Sequence, residues 1–444
     1  MFRVLGSVFL TQRAFILAWG IVLLFVIGWV WIPMYVVAKL ALLFLVLAVL
    51  AEFYLLFGRR SGMKAARRTM ERWSNGDVNP VTLQLESGYG TDMHVRVLDE
   101  LPVQFQKRDL VFSGAINAWS KRDFDYHVRP VARGVYRYGA VNVFVSSPMQ
   151  LVERRFTLDN AKEVAVYPSY LQLRKYELLA ISNKLTLAGV KKIRRIAQQS
   201  EFERIKEYVP GDDRRTVNWK ATARRGRLMV NQFQDERAQQ VFSVIDTGRV
   251  MKMPFEGLSL LDHAINASLV ISSIAMRKED RAGLITFSNT VHDVLPASRQ
   301  RGQMRKIMHV LYGQETAHRE TDMEALYGSV RRTVHQRSLL LLFTNYESLG
   351  AMERQLPYLE RLGRQHLVVP IFFLNTELDA ELKALPLDTE QVYVRTITEK
   401  MVHEKRLIAR ELERHGLPSI LCRPQDLTVS VINRYLEIKA RGIL

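Results

Sequence analysis

The spacing of apolar positions changes twice along the chain, and the three stretches this defines imply different structures. From Ala14 to Ile32 the run AFILAWGIVLLFVIGWVWI carries no charge, and after Pro33 a second apolar run, Met34 to Phe57, is broken only by Lys39 and Glu52. Each is long enough for a helix to cross about 30 Å of hydrocarbon. The few residues around Pro33 allow a tight turn and nothing more, and Trp29 and Trp31 sit where amphipathic rings favour a headgroup region. Lys39 and Glu52 lie near the ends of their run, where long side chains reach an interface. A cleaved signal peptide would have a shorter apolar stretch, a small-residue cleavage site and no second span. The pattern predicts a transmembrane helical hairpin over residues 1–58.

Between Val81 and Ala165 the period falls to two. His94–Val97 alternates, Phe124, Tyr126 and Val128 alternate, and Val141, Val143 and Val145 share one face. Turn signals at Ser87-Gly88, Arg133-Gly134 and Ser147-Pro148 separate these runs. Short alternating strands without intervening helices predict a small antiparallel β-sandwich over residues 81–165. From about Gln239 the pattern changes again. Gln240–Asp246, Gly283–Phe287, Ser338–Phe343, Leu367–Leu374 and Ser419–Cys422 are apolar runs suited to strands covered on both faces. Between them lie helix-period segments: Leu258–Met276, Met323–Val334, Ala351–Gln365, Thr398–His415 and Leu427–Ala440, with Asp322 and Asp426 placed as caps. Strand and helix in alternation predict an α/β doubly wound parallel sheet over residues 238–444.

Composition and charge refine this picture. At 444 residues, 48% hydrophobic and 24% charged, the chain is neither disordered nor low in complexity. Lys plus Arg number 63 against 45 acids, a formal +18 that favours anionic partners. Arg3 and Arg13 precede the hairpin, and Arg59, Arg60, Lys64, Arg67 and Arg68 come after it. Positive flanks stay inside, so both termini are expected in the cytoplasm, with residues 59–80 as a basic juxtamembrane segment against anionic lipid. Residues 166–237 read as a basic linker, in which Lys191–Arg195 is a solvated charge cluster. The single cysteine, Cys422, excludes an intrachain disulfide and two-cysteine zinc spacings.

Within that linker runs Glu207-Tyr208-Val209-Pro210-Gly211-Asp212-Asp213-Arg214-Arg215-Thr216-Val217-Asn218-Trp219-Lys220-Ala221-Thr222-Ala223-Arg224. Pro-Gly makes a turn, Asp212 or Asp213 can cap the segment after it, and Trp219 offers a large anchor. The run resembles the signature of a bacterial family of unknown function, DUF58, with Lys206 where that family often has Arg and Val217 where it has Ile. Arg133-Gly134-Val135-Tyr136 and Val166-Tyr167-Pro168 are similar to further elements of that family, while Ser147-Pro148 replaces its usual Asp-Pro. The resemblance implies a von Willebrand factor A-like domain in the C-terminal half, residence in the bacterial inner (cytoplasmic) membrane, and a MoxR-type AAA+ ATPase as partner. Within the signature, Glu207, Tyr208, Pro210, Gly211, Asp212, Arg215, Asn218, Trp219, Lys220, Ala223 and Arg224 are the candidate interface. Two roles compete: Trp219 buried as an anchor, which is the preferred one, or the whole segment exposed as a surface for the ATPase.

Von Willebrand A domains hold Mg²⁺ through D-x-S-x-S, a later Thr and a later Asp, oxygen ligands suited to a hard cation. In this chain the positions fall on Asp246, Gly248, Val250, Thr321 and Asn345. Two hydroxyls and one carboxylate are missing and Arg249 adds a positive charge. No cofactor is therefore expected, and Asp246 is left to pair with Arg249 or to accept backbone N–H groups. No phosphate loop and no H-E-x-x-H motif occurs. His263, His292 and His309 lack ligand spacing, and Cys422 reads as a buried small hydrophobe. The expectation is a non-enzymatic membrane-anchored adaptor, with self-association left open. The rivals are a Mg²⁺-dependent enzyme or ligand-binding domain at the sheet edge, and a membrane-bound nucleic-acid binder using Lys191–Arg195 and Arg214–Arg227. Interleaved Asp212 and Asp213 and the lack of a recognised module weigh against nucleic acid.

Overall fold

The computed structural model describes residues 7–58, 62–107, 110–181, 201–210, 217–234, 238–255, 257–374 and 388–443. The chain divides into two compact units, residues 1–167 and 168–444. It contains two apolar N-terminal helices, several antiparallel sheets and a mixed α/β region.

In the first unit, β1 (Val8–Leu10) precedes α1 (Gln12–Val30) and α2 (Ile32–Phe57). Both helices are long and apolar enough to cross a membrane. Only Trp31 separates them, and Pro33 stands in the first turn of α2, where its missing N–H costs nothing. Among the described residues, ten further strands follow: β2 (Met63–Thr69), β3 (Arg72–Ser74), β4 (Asn79–Ser87), β5 (Met93–Asp99), β6 (Val111–Ile116), β7 (Lys121–Val128), β8 (Gly134–Tyr138), β9 (Val141–Ser146), β10 (Val152–Leu158) and β11 (Lys162–Tyr167). They form sheets ordered β1-β10-β9-β5-β6, β2-β4-β7 and β3-β11-β8, antiparallel except for the β3–β11 pair. Inward residues such as Leu83, Leu85, Val95, Val97, Val143 and Val145 are buried in one cluster, and Trp73, Tyr136 and Tyr138 belong to a second.

Two expectations fail here. Residues 63–69 and 72–74, expected as a basic juxtamembrane segment, are strands of the folded unit. Arg67 does not face lipid: it is buried and paired with the buried Asp99, which also accepts from the Tyr126 hydroxyl. Glu52, expected to reach an interface, is buried instead. Its carboxylate is 1% exposed and accepts from Leu151 N (2.9 Å), Val152 N (2.7 Å) and the Ser147 hydroxyl. At 1.5 Å per residue, the 26 residues of α2 exceed a 30 Å core by roughly 9 Å, so its last turn projects beyond the hydrocarbon. Arg154 and the Tyr89 hydroxyl both bond to Leu56 O at that end. On the other side of the hairpin, β1 pairs with β10, and Thr11 N bonds to Leu151 O (3.0 Å). Residues before α1 and after α2 thus join one sheet, which puts both on the same side of any membrane the helices cross.

The second unit opens with α3 (Tyr170–Ile181), a helix where a linker was expected. It packs through Leu173 and a Glu177–Ser273 hydrogen bond of 2.6 Å. The hairpin β12 (Glu201–Glu207) and β13 (Met229–Gln234) brackets α4 (Trp219–Arg225). The main sheet contains β14 (Gln240–Asp246), β15 (Arg281–Phe287), β16 (Val291–Ser298), β17 (Leu339–Phe343), β18 (Leu367–Phe373) and β19 (Ile420–Cys422). Its order is β16-β15-β14-β17-β18-β19, parallel throughout except for the edge strand β16. The helices are α5 (Leu260–Arg277), α6 (Gln303–Tyr312), α7 (Met323–Thr333), α8 (Leu349–Gln365), α9 (Thr389–Arg414) and α10 (Leu427–Arg441). Alternate strand residues enter two clusters. One contains Ile245 and Leu341 with α5, α6 and α10; the other contains Val244 and Leu342 with α7, α8 and α9. Helices therefore cover both faces. Asp322 caps α7 as expected, whereas Asp426 precedes α10 without a side-chain capping bond.

Replacing Glu52 by Leu would strip three donors of their acceptor, and each buried N–H left unpaired costs about 1–3 kcal/mol. Full-length protein in micelles should lose roughly 3 kcal/mol in chemical denaturation, and Glu52→Gln, which keeps one acceptor oxygen, should lose less. A Glu52→Leu midpoint equal to wild type would remove the latch.

Candidate functional site

The predicted site residues fall into two groups, with no hydrogen bond or ion pair joining them among the described residues. The first lies at the carboxyl end of β14. This strand has β15 on one side and β17 on the other, so the order of connection reverses there, the position where open α/β sheets bind ligands. Asp246 ends β14 and is fully buried. Its Oδ1 accepts from Gly248 N (2.8 Å), and its Oδ2 accepts from Thr321 Oγ1 and Thr344 Oγ1 (both 2.7 Å). Arg249 turns away toward Glu347 (3.4 Å) and Glu320 (3.9 Å), so the Asp246–Arg249 pair does not form and backbone and hydroxyl donors take its place.

Gly248 is part of this closure. A Cβ there would stand 2.6 Å from Thr321 Oγ1 and 2.9 Å from Asp246 Oδ1, so a serine would force both apart. Asn345 is equally committed: its Oδ1 accepts from the Lys405 ammonium at 2.7 Å, and the same ammonium donates to Tyr346 O. Burial lowers the Lys405 pKa from 10.5 to about 8, although Glu347 and Glu404 oppose the shift. Burial likewise raises the Asp246 carboxyl from 3.8 to about 6, against the bonds from Thr344, Gly248 and Thr321. Tyr346, buried beside Asp246, has its phenol pushed far above the ordinary value and stays a neutral donor. This arrangement does not fit a divalent cation. The oxygens such an ion would need already serve protein donors, and an ammonium stands on Asn345. Among the described residues, no group of three or more His, Cys, Asp or Glu is placed to hold a metal. His292 sits 2.8 Å from Ser288 Oγ, and burial pushes the Cys422 thiol up to about 12. Lys405 and Thr344 were missed in the sequence, because neither belongs to a recognisable spacing.

The second group is the signature segment. Gly211, Asp212 and Arg215 lie outside the described residues, as does Lys191–Arg195. Glu207 ends β12 and meets Arg227 at 3.4 Å, while Tyr208 N bonds to Leu228 O and Pro210 is exposed. Asn218 caps α4 by accepting from Ala221 N (3.0 Å), and its amide bonds to Asn231 Oδ1 (2.8 Å). Trp219 is not a buried anchor: it is 73% exposed. As the first residue of α4, it comes directly after a cap that is tied to β13, so the helix is fixed by Asn218 and the Thr222–Met229 bond (3.0 Å) without help from the indole. Lys220, Ala223 and Arg224 are exposed beside it. With Arg225, the seven residues of α4 carry three cations and no acid.

A family model described as "Protein of unknown function DUF58" matches residues 204–407, which includes the signature segment. The uncharacterized protein YeaD of Bacillus subtilis (strain 168) is 27% identical over 130 residues, 29% of this chain and 32% of that protein. The match thus spans about a third of that relative's length. Among solved structures, the conserved hypothetical protein BatB from Bacteroides thetaiotaomicron aligns with all of its chain over 46% of this one, at 10% identity and a TM-score of 0.30. The CARDB domain of PF1109 from Pyrococcus furiosus covers 24% of this chain and 93% of its own, at 13% identity and a TM-score of 0.18.

Two measurements check the closed carboxylate. Magnesium titration of the full-length protein should give no affinity tighter than the millimolar range of weak oxygen sites; a micromolar constant abolished by Asp246→Ala would contradict it. Because the Asp246 carboxyl binds its proton more tightly folded than unfolded, its contribution is full below the unfolded value near 3.8 and lost as pH rises through about 6. Relative to Asp246→Asn, the wild type should therefore lose roughly 2–3 kcal/mol between pH 4 and pH 7. A pH-independent difference would refute the raised value.

Proposed function

We propose that this protein is a non-enzymatic adaptor, anchored by its helical hairpin in the bacterial inner membrane with both termini in the cytoplasm. In this reading, the parallel-sheet unit is a von Willebrand factor A-like domain, and the signature segment is a docking face for a MoxR-type AAA+ ATPase. One observation carries the reading: within the stretch matched by the family model, Trp219 stands 73% exposed on a short helix that also displays Lys220, Arg224 and Arg225. An indole that contributes nothing to the fold of its own chain, ringed by cations, has the composition of an interface anchor. Removing a large aromatic from water at an interface gives affinity, and the surrounding charges steer an acidic partner face. The basic ends of the hairpin are expected to contact anionic lipid headgroups.

As Trp219 is exposed, Trp219→Ala should change stability by less than about 0.5 kcal/mol. The same variant should abolish capture of a co-expressed MoxR-type ATPase by full-length protein in detergent. Loss of stability with capture intact would reverse the assignment. Topology is tested by single introduced thiols, such as Glu413→Cys, in intact cells; Cys422 is buried and should stay silent. No labelling by an impermeant reagent is expected before lysis, and labelling beforehand would place this unit outside.

A further inference from the structure

The crevice above Asp246 is lined by groups that the adaptor reading does not use. A cavity of about 660 Å³ opens at the carboxyl ends of β14 and β17, within the size range of small-molecule sites. Its walls include Arg249, Arg319, Tyr346 and Arg354. Three lining arginines are matched in number by three lining carboxylates, Glu320, Asp322 and Glu347, but the carboxylates are committed. Asp322 caps α7 through Glu324 N (2.8 Å) and Ala325 N (3.2 Å), while Glu320 and Glu347 flank Arg249. Arg319 and Arg354 are exposed on the cleft with no side-chain ion pair among the described residues.

The groups left unused there are almost wholly donors. Tyr346 is 1% exposed, lines the cavity, and its hydroxyl has no hydrogen-bond partner. A buried polar group in that state is costly unless something satisfies it. Asn289 spends its Oδ1 on Ser288 Oγ (3.1 Å), which leaves its amide donors to the cleft. Gln355 contributes an unpartnered Oε1, at the end of an amide that a half-turn exchanges for N–H₂. The first turns of α7 and α8 also line the cleft, at Met323 and Ala351, but their N–H groups are already capped by Asp322 and Ser348 and add no donor. A carboxylate offers two oxygens, whereas a phosphate ester offers three and up to two charges. The phosphate is thus the better match to a cleft lined by two unpaired guanidinium groups, the Asn289 amide and a buried, unpartnered phenol.

We infer that this cleft binds the phosphate group of a small phosphorylated molecule, directly and without a bridging metal. Inorganic phosphate and pyrophosphate are the probes, titrated calorimetrically into full-length protein in detergent, with acetate as the carboxylate control. Pyrophosphate should bind with a submillimolar constant, and Tyr346→Phe and Arg354→Gln should each weaken it about tenfold without lowering the melting temperature. Lys220→Gln, on the distant-in-sequence basic helix α4, should leave it unchanged. The inference falls if neither probe binds by about 10 mM, or if acetate binds as tightly as pyrophosphate. It also falls if binding survives both cleft variants, or weakens equally in Lys220→Gln. Failure on any of these counts leaves the Trp219 docking face untouched.

Discussion

The architecture of the first unit hinges on one carboxylate. Glu52 leaves the apolar stretch of α2 and accepts three hydrogen bonds from residues 147–152. A buried carboxylate tolerates such a site only because charge-assisted bonds to fixed N–H groups replace its water. The latch has a mechanical consequence. The β9–β10 connection cannot tilt freely against the helix, and Thr11, bonded to the same loop, ties the other end of the hairpin to it. Whatever the two helices are embedded in, the adjoining strands are held to it at two points instead of hanging from a flexible tether. Residues 59–80 were expected as a basic juxtamembrane segment against anionic lipid, and Arg67 is withdrawn from that role by its burial against Asp99.

The second unit applies the same rule to opposite effect. At the end of β14 a carboxylate is again buried, but here every donor is internal and the group is sealed. Gly248, Thr321 and Thr344 close around Asp246, and Lys405 occupies Asn345. An ammonium delivered by α9 thus bonds two neutral oxygens at the sheet edge, the Asn345 amide and the Tyr346 carbonyl, and ties the helix to it. The cost is visible in the direction of both shifts: burial raises Asp246 and lowers Lys405, so each charge is held against desolvation.

How much of this could be read in the sequence depends on whether a residue's own pattern or its neighbours decided its fate. Strands β14, β17 and β18 were legible because both their faces are buried, which leaves an apolar run no helix of that length would need. The edge strand β16, VHDVLPAS, was missed because one face is open and a proline interrupts it. β2 reads MKAARRT, and its two arginines disguise a strand whose inward positions include one of them. α9 begins at Thr389, nine residues before the expected Thr398, because its first turns carry exposed Val392, Tyr393 and Ile397 and lack amphipathic contrast. Trp219 is the sharpest case. Nothing local distinguishes a tryptophan that anchors a segment from one that the segment displays, and the decision lay with Asn218 and Thr222, which secure α4 by themselves.

Those errors share a direction. Glu52, assigned to an interface, and Arg67, assigned to anionic lipid, are buried and bonded at junctions of the first unit; Trp219, assigned to a buried contact, is left exposed. In a chain with +18 formal charge, solvating a cation is cheap and burying one is expensive. A buried arginine therefore signals that the position of β2 matters to the fold, whereas a bare indole adds nothing to the core of its unit. The same contrast separates Tyr346 from its surroundings. Asp246 beside it is fully bonded, yet the Tyr346 hydroxyl is buried and unpartnered in a residue that lines a cleft with two unpaired guanidinium groups. A fold that satisfies Asp246 three times over within one strand's width had the means to satisfy a phenol, and an unmet donor in that setting is best understood as one reserved for a ligand.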